Sequence, residues 1–592
     1  MSDRLTLCGT ESDLQSLGRS AGLLCELAPD SRWLKGAQHC YKPYQLLGSA
    51  DGALRIAHSV VSKVIEHLAA FEGIPQMASL EESLLEQVSY NAQALHLDRW
   101  FDSEGISVCH FDSYSAWFDR LRQIRALTGS RYQLTARVPF GRAGWIQRGI
   151  LDLSRSIGRP SELSRRVAPL WSRILSALPT RRLAGDAPRG GIWFYSTAYN
   201  CTKIALEYEE YFPRKINFLI EDPSTGGKRL SELGRHSYVL YAWARASDIP
   251  STSEVDRISD RIAQAVASVP LTGDEDVLRA ALLRSEWWDH FTKRILPFLI
   301  LHERALQRWC DAVAPEMLVV GNAGYERAVL QSQRAQRIPS LMLQHGIMHW
   351  VYAVADQPVT HFLIRGRFFL NLINDRLRSK TVICNYPQPV DPTLQARSRK
   401  RRGILFITMP YQVAPLFHLA DLREILGCLL QFSHDADRPL LIRVHPLERT
   451  SFYQRLVSDL QRELSIRCDV VYSQGPGVEE LLASSSVAIL YFSTMFLDCL
   501  RHGIPIISLD WHSFPNKRHF RDAQIFHFAS DLRDLEQLLR AAVDGGLPSS
   551  CGSLSEFLAP TKPEEVTRLI TDLCQSSGAL GQTSSYSASG RN

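Results

Sequence analysis

The chain has 592 residues, a formal net charge of +5, 45% hydrophobic residues and 22% charged residues. This is ordinary globular composition, and the length predicts two to four domains that each bury a core of their own. So mild a net charge does not by itself indicate a nucleic-acid-binding protein, and we expect no nucleic-acid partner. Twelve scattered cysteines, without a CxxC motif or zinc-like Cys/His spacing, favour reduced thiols over a disulfide framework or a metal centre.

Neither a signal peptide nor a membrane span is expected. The first residues lack a basic segment followed by an apolar core. The longest apolar stretch is broken well short of the ~18–20 residues that a membrane span needs. The sequence therefore predicts a cytoplasmic protein.

Residues 1–139 are predicted to form a mixed α/β region that belongs to, or packs on, the domain that follows. Alternating apolar residues indicate strands, and apolar residues at helical spacing indicate helices. The predicted strands are residues 4–8 and 106–111, and the predicted helices are residues 53–71, 80–95 and 114–127.

Residues 140–190 have a different character, because ten arginines stand there against three acidic residues. Four prolines break the segment, and Trp145 and Trp171 contribute to its apolar faces. We interpret it as a basic amphipathic connector. It is either a solvated linker whose arginine stems lie on the fold or a segment that docks on an anionic membrane surface, with arginines on headgroups.

Strands and helices alternate from residue 191 onwards, which predicts parallel sheets. In residues 191–396 the predicted strands are 192–196, 216–220, 238–242, 317–320, 340–343, 360–364 and 381–384, and the predicted helices are 203–211, 255–269, 277–308, 325–337 and 369–374. The basic run 397–402 then separates a second series.

In the second series, residues 397–575, the predicted strands are 403–408, 440–444, 470–472, 487–490 and 505–508, and the predicted helices are 419–432, 452–464, 478–484, 494–502 and 532–543. The Ser/Gly-rich tail 576–592 is predicted to be disordered. The predicted fold class is therefore α/β, with two Rossmann-type doubly wound domains.

In such sheets, ligands bind at the carboxyl ends of the strands. His445 and Pro446 follow strand 440–444. An imidazole there can donate to a phosphate oxygen, and Pro446 restricts the turn that aims it. The alternative is a His-Pro pair in an ordinary turn.

Ser493 and Thr494 follow strand 487–490 and open the next predicted helix. Their hydroxyls, with the backbone N–H groups of a helix start, could bind an anion, although simple helix capping is the alternative. Asp498, four residues further on, could accept bonds from ribose hydroxyls or be a solvated helical carboxylate.

In the first series, strand 340–343 ends at Gln344, His345 and Gly346. Gly346 permits close backbone approach, and His345 is a candidate base for an acceptor hydroxyl or a structural histidine. Glu221 and Asp222, after strand 216–220, are a rival base or part of a turn.

Together these segments resemble the GT-B glycosyltransferases of bacterial surface polysaccharide synthesis. The segments that carry the resemblance are 338–346, 362–387, His445-Pro446 and the run from Ser493 to Pro505. The chain is most similar in character to capsule-type Kdo and sialic-acid transferases. It also resembles the CDP-glycerol glycerophosphotransferases and the nucleotide-sugar 2-epimerases. The resemblance is good over 310–520, extends to 190–310 only by the βα alternation, and leaves 1–180 unmatched.

The resemblance implies two domains that face a cleft, with the acceptor on 191–396 and the donor on 397–575. His445, Ser493 and Thr494 would contact the donor phosphate, and His345 matches the family's His-Gly position. Asp498 stands where the group often has a ribose-binding Glu. Asn322 stands where epimerase-like members have Asp, and with Gln344 and Gly346 it would lie on the acceptor side.

We therefore predict a metal-independent glycosyltransferase without a cofactor, whose substrate is a nucleotide-sugar. A CMP-sugar such as Kdo or sialic acid is favoured as donor, because His445 and hydroxyls, without a nearby Asp-x-Asp motif for Mg²⁺, suit a monophosphate leaving group. The acceptor would be a surface polysaccharide or lipid-linked glycan, and residues 140–190 would touch the inner face of the membrane. His345 and His445 would face each other across the cleft.

The alternatives are a CDP-polyol phosphotransferase, a nucleotide-sugar epimerase or a non-catalytic scaffold with the same fold.

Overall fold

A computed structural model shows two compact units. The residues that it describes are 4–5, 21–24, 40–41, 51–69, 81–103, 108–111, 116–136, 187–196, 199–220, 237–321, 338–344, 359–373, 375–389, 401–409, 419–446, 448–475, 477–491, 493–510, 517–548 and 554–583. The first unit comprises Arg55–Ala92, Pro139–Gln388 and Pro560–Asn592, and the second comprises Met1–Leu54, Gln93–Val138 and Pro389–Ala559. Among the described residues, no helix is both long and apolar enough to cross a membrane.

The described part of the N-terminal region holds short parallel strand pairings and three helices. Its strands are β1 (Arg4–Leu5), β2 (Ala21–Leu24), β3 (Cys40–Tyr41), β4 (Val108–Phe111) and β5 (Gln133–Ala136), and its helices are α1 (Asp51–Ala69), α2 (Glu81–Ser103) and α3 (Ala116–Thr128). Most of helix α1 belongs to the first unit, in which Lys63 pairs with Glu275 at 2.8 Å. The sequence prediction treated 1–139 as one region on the first domain; the structure instead divides it between the units.

The first unit is built on a seven-stranded sheet in which every pairing is parallel. The strands are β6 (Ile192–Ser196), β7 (Asn217–Ile220), β8 (Ser237–Val239), β9 (Met317–Val320), β10 (Ser340–Leu343), β11 (His361–Ile364) and β12 (Thr381–Cys384). Their order is β12-β11-β10-β9-β6-β7-β8. The chain therefore adds β7 and β8 on one side of β6, and then β9 to β12 on the other side. This is a doubly wound arrangement.

The described helices of this unit are α4 (Tyr199–Glu207), α5 (Thr252–Ser268), α6 (Asp274–Leu283), α7 (Glu286–His290), α8 (Leu296–Val313) and α9 (Asp375–Arg378). The single helix predicted over 277–308 is wrong. Ser285 caps α7 by accepting a hydrogen bond from the Trp288 N–H at 3.1 Å. A π-helical turn, Phe291–Ile295, then precedes Pro297. Proline lacks an N–H and crowds the preceding turn, which is a common reason for such a break.

The second unit contains a six-stranded sheet, again parallel in every pairing. Its strands are β13 (Gly403–Ile407), β14 (Leu440–Arg443), β15 (Val470–Ser473), β16 (Ser485–Leu490), β17 (Ile506–Leu509) and β18 (His527–Ala529), in the order β15-β14-β13-β16-β17-β18. Its helices are α10 (Leu419–Asp435), α11 (Thr450–Leu464), α12 (Val478–Ser484), α13 (Met495–Arg501), α14 (Lys517–Asp522), α15 (Leu532–Val543) and α16 (Leu554–Phe557). The predicted pair of Rossmann-type doubly wound sheets is therefore confirmed.

The last helix, α17 (Pro563–Thr583), corrects two predictions. Val566, Ile570 and Leu573 are buried in the same core cluster as Ile192 and Phe194 of the first sheet. Because these apolar side chains are buried against the first sheet, the segment from residue 560 belongs to the first unit. It does not belong to a second domain that runs to residue 575. Residues 576–583, predicted to be disordered, are helical. Residues 584–592 and most of the connector, residues 140–186, lie outside the described residues.

Candidate functional site

The site is defined by the carboxyl edge of the second sheet, where β13 and β16 lie side by side and their connections leave in opposite directions. Such a switch point opens a crevice for ligands. Strand register brings Arg443 level with Ile407 on one side and Ser473 on the other. The residues that follow these strands, from Thr408 to Ser493, therefore emerge along one edge.

His445 lies two residues beyond β14 and is partly buried. Its backbone N–H donates to Thr408 Oγ1 at 2.8 Å, and its carbonyl accepts from Gln474 Nε2 at 3.0 Å. Burial lowers the pKa of His445 below its usual value. The imidazole is therefore neutral at neutral pH, and it would meet a phosphate as an N–H donor and not as a cation. The neighbouring Pro446 is exposed.

Arg443 supplies a positive charge that the sequence prediction missed. Its Nη1 donates to Ser473 Oγ at 2.8 Å, and its Nη2 donates to the carbonyl of Gly475. Burial lowers the pKa of Arg443, while the carboxylate of Asp498 acts in the opposite direction. A guanidinium stays charged in proteins under all ordinary conditions.

Strand alternation places Arg443 and His445 on the same side of the sheet. Residues two apart along a strand point the same way, and their neighbours point to the opposite face. Ile442, before Arg443, and Val444, between the two, are both buried in the hydrophobic core of this unit. The spacing Arg-x-His at a strand end was therefore a usable signal in the sequence. It pairs a permanent cation with a neutral N–H donor.

Ser493 and Thr494 precede α13, which begins one residue later than predicted. Ser493 Oγ accepts only a long bond, 3.4 Å, from the Met495 N–H, and Thr494 makes no side-chain cap. Helix α13 has seven residues, so its dipole contributes little by itself. The Ser493 and Thr494 hydroxyls are thus hardly used for capping, while anion binding by the helix start alone is weakened.

Asp498 lies on α13, near the guanidinium of Arg443 and 4.0 Å from that of Arg501. About 29% of its side chain is exposed. This position differs from that of an isolated solvated carboxylate, because two arginines are its neighbours. A role for Asp498 in binding ribose hydroxyls stays a prediction.

In the first unit, Gln344 has a structural partner. Its buried Oε1 accepts from the Arg365 N–H at 2.8 Å, which ties the end of β10 to the end of β11. Arg365 in turn pairs with Glu207 at 3.1 Å and lies over the ring of Tyr386. The carboxyl edge of this sheet therefore carries a polar network of its own.

Glu221, Asp222, Asn322, His345 and Gly346 lie outside the described residues. The identity of the base, and the facing of His345 and His445, stay predictions.

Within the described parts of the chain, no group of three or more His, Cys, Asp or Glu residues has the arrangement of a metal site. The second series does contain an Asp-x-Asp pair, Asp435 and Asp437, but both side chains are exposed just before β14 begins, at the opposite edge of the sheet from His445. Metal independence stays a prediction.

Fold and site together define a class: a protein with two Rossmann-type α/β units, one of which presents an arginine, a histidine, two hydroxyls and a carboxylate at its switch point. Such an edge is suited to a phosphate-bearing ligand. No protein-family model matches the chain, and no curated protein matches it.

Many solved structures share a likeness with the chain. MurG from Acinetobacter baumannii has a TM-score of 0.38 and 13% identity, and covers 65% of this chain and 100% of its own. The UDP-GlcNAc 2-epimerase from Neisseria meningitidis bound to UDP-GlcNAc has a TM-score of 0.40 and 10% identity, and the match covers 66% of this chain and 100% of the epimerase. HepE from Anabaena in complex with UDP-glucose has a TM-score of 0.36 and 8% identity, and the match covers 66% of this chain and 99% of HepE. At these TM-scores the likenesses say nothing about activity, and the fold class stands on the strand orders.

Proposed function

We propose that this protein is a glycosyltransferase that takes a sugar from a nucleotide-activated donor bound at the carboxyl edge of the second sheet. The observation that carries the proposal is that Arg443 and His445 lie on one side of that edge, with Asp498 of α13 near the Arg443 guanidinium. An arginine held by Ser473 and Gly475 is preorganised. It therefore stabilises the charge that develops on a departing phosphate without a cost of reorganisation.

The neutral state of His445 matters for the chemistry. A phosphate leaving group needs donors whose strength grows as its charge grows, and an N–H donor together with a fixed guanidinium meets that need. The Ser493 and Thr494 hydroxyls add further donors. The donor that we favour is a CMP-sugar such as Kdo or sialic acid, because its single phosphate presents fewer charges than a diphosphate.

The further parts of the proposal are a metal-independent reaction, an acceptor that is a surface polysaccharide or a lipid-linked glycan, and a base among His345, Glu221 and Asp222. The protein would work in the cytoplasm, and residues 140–190 would hold it at the inner face of the membrane. The arginine-rich composition of that segment supports this part.

The donor class is tested by thermal unfolding of the full chain with CMP-, CDP-, UDP-, GDP- and TDP-sugars. A ligand at about 100 times its Kd stabilises the folded state by about 2.7 kcal/mol. We expect the largest shift with a CMP-sugar. His445→Ala and Arg443→Gln should each weaken binding by about tenfold or more, since each removes a phosphate contact.

His434→Ala is the matched control for this test, because His434 is an exposed histidine of the same unit whose Nδ1 lies 2.8 Å from the Arg467 carbonyl oxygen, away from the strand end that carries His445. Its ligand-induced shift should equal that of the wild type. No shift with any nucleotide would favour a non-catalytic scaffold. Turnover of a UDP-sugar without an acceptor would favour an epimerase, and release of a polyol phosphate from a CDP-polyol would favour the phosphotransferase.

A further inference from the structure

The backbone of His445 is held by side chains from both neighbouring strand ends. Its N–H donates to Thr408 Oγ1, directly after β13, at 2.8 Å. Its carbonyl accepts from Gln474 Nε2, directly after β15, at 3.0 Å, and from the Glu448 N–H at 3.0 Å. Both polar main-chain groups of this residue are thus satisfied by partners within the fold, which holds the backbone from which the imidazole projects.

A buried carboxylate completes this arrangement. The side chain of Glu448 is in a residue only 4% exposed, and its Oε2 accepts from Tyr453 Oη and, at 3.4 Å, from Thr408 Oγ1. Thr408 Oγ1 uses a lone pair to accept from His445, so its single proton is available for Glu448. A chain of donors therefore runs from the His445 N–H through Thr408 to the carboxylate.

Helix capping does not account for Glu448. Helix α11 begins at Thr450, its cap residue is Arg449, and no side chain caps it. The oxygen of Glu448 accepts instead from hydroxyls on two other elements. Burying a carboxylate is costly even when it is paired, and an ordinary turn after a strand does not require one.

We propose that Thr408, Glu448 and Tyr453 are positioning residues that aim His445 at the donor phosphate, an inference that rests on the proposed function. Gln474 supports the same turn through the carbonyls of His445 and Glu448, the latter at 2.7 Å. Three adjacent strands and one helix thus contribute to the placement of a single imidazole. A ligand contact that must hold to within about half an ångström needs such support.

A double-mutant cycle on the full chain tests whether Thr408 acts through His445. Thr408→Val keeps the shape but removes the hydroxyl, and it should weaken binding of the nucleotide-sugar by about tenfold. Thr408→Ser keeps the hydroxyl and should bind like the wild type. In a His445→Ala background, Thr408→Val should have no further effect. Full additivity of the two changes, or normal binding by Thr408→Val, would overturn the proposal.

A second measurement does not depend on any nucleotide. Hydrogen–deuterium exchange at the imidazole C2 position, followed by mass spectrometry at fixed pH, reports the environment of each histidine separately. Thr408→Val and Glu448→Gln should each change the exchange rate of His445 by several-fold and leave those of His434 and His527 unchanged. Thr408→Ser should leave all three unchanged.

The control for this measurement is Thr571→Val, because the Thr571 hydroxyl donates to the Thr567 carbonyl of its own helix, α17, in the other unit. If His445 exchanges at the same rate in Thr408→Val as in the wild type, the positioning role is wrong. If no nucleotide binds but the His445 rate responds as expected, the proposed function fails while the positioning of the histidine stands.

Discussion

His302 illustrates how burial decides the charge of a single residue. It lies on α8, is fully buried, and its Nε2 is 2.9 Å from Tyr195 Oη on β6. Desolvation lowers the pKa of His302 to about 3. The unfolded chain binds a proton near pH 6.5, whereas the folded chain does not until far lower pH.

The stability contributed by a neutral His302 is therefore fully present above about pH 6.5 and is lost as pH falls towards 3. We expect the free energy of unfolding to fall by up to about 3 kcal/mol between pH 6.5 and 4.5 from this residue. Urea unfolding at several pH values measures it. The His302→Gln variant should lose this part of the pH dependence of the free energy of unfolding. The His434→Gln variant, changed at an exposed histidine, should retain it. Parallel profiles for wild type and His302→Gln would contradict the prediction.

Arg443 shows what residue-level reading can miss. Arg-x-His at a strand end is visible in the sequence, and alternation predicts that both side chains share a side. Its partners are not visible, because Ser473, Gly475 and Asp498 come from elements up to 55 residues away.

Among the elements, strand β13 is where the two halves of the second sheet meet. It pairs with both β14 and β16, and its register with β16 shifts between Gly403 and Ile404. A Cβ on Gly403 would approach Leu441 Cγ to 3.0 Å, its Cδ1 even more closely, and the Ser484 carbonyl oxygen to 3.1 Å. Glycine thus permits the close packing at the irregularity.

Two glycine substitutions in this unit should have opposite signs. Gly403→Ala should destabilise by about 1–3 kcal/mol, because the methyl group overlaps Leu441. Gly427→Ala on α10 meets nothing nearer than a Leu460 methyl at 4.0 Å, and should stabilise by up to about 1 kcal/mol through helix propensity. Thermal and urea unfolding of both variants measure the difference. Equal effects of the two substitutions would show that Gly403 is not constrained.

Strongly apolar strands were predictable at this scale. The predictions for β6, β9, β10 and β12 match to the residue, as do those for helices α12 and α15. Four-residue apolar runs such as Met317–Val320 are fully buried, and that is why their signal is clear. The end of β8 was placed three residues late, because a 3₁₀ turn, Leu240–Trp243, continues its apolar pattern.

For the whole molecule, the return of the chain to its first unit is the feature with the largest consequence. Helix α17 buries Val566 and Ile570 completely in the core that surrounds the seven-stranded sheet. Thr561, just before α17, also bonds to this unit, since its Oγ1 donates to the Tyr386 carbonyl at 3.0 Å. The first unit is therefore completed only by the last segment of the described chain.

Ile570→Ala should lower the free energy of unfolding by about 2–5 kcal/mol, because it leaves a cavity in that core. Arg568→Ala, an exposed position on the same helix, should change it by less than about 0.5 kcal/mol. Urea unfolding of the full chain, followed by tryptophan fluorescence, compares the two. Equal unfolding midpoints would mean that α17 does not pack on this sheet.

By itself, the sequence determined the alternation of strands and helices, two doubly wound units and the strand end that carries His445, because apolar periodicity and turn residues act over a few positions. Only the tertiary structure decided that α17 belongs to the first unit and that Lys63 of α1 pairs with Glu275. It also decided that Thr408, Glu448 and Tyr453 surround the turn at His445. These contacts join residues that lie far apart in the chain or on different elements. Which apolar face covers which sheet depends on the packing of the whole chain, and no local pattern encodes it.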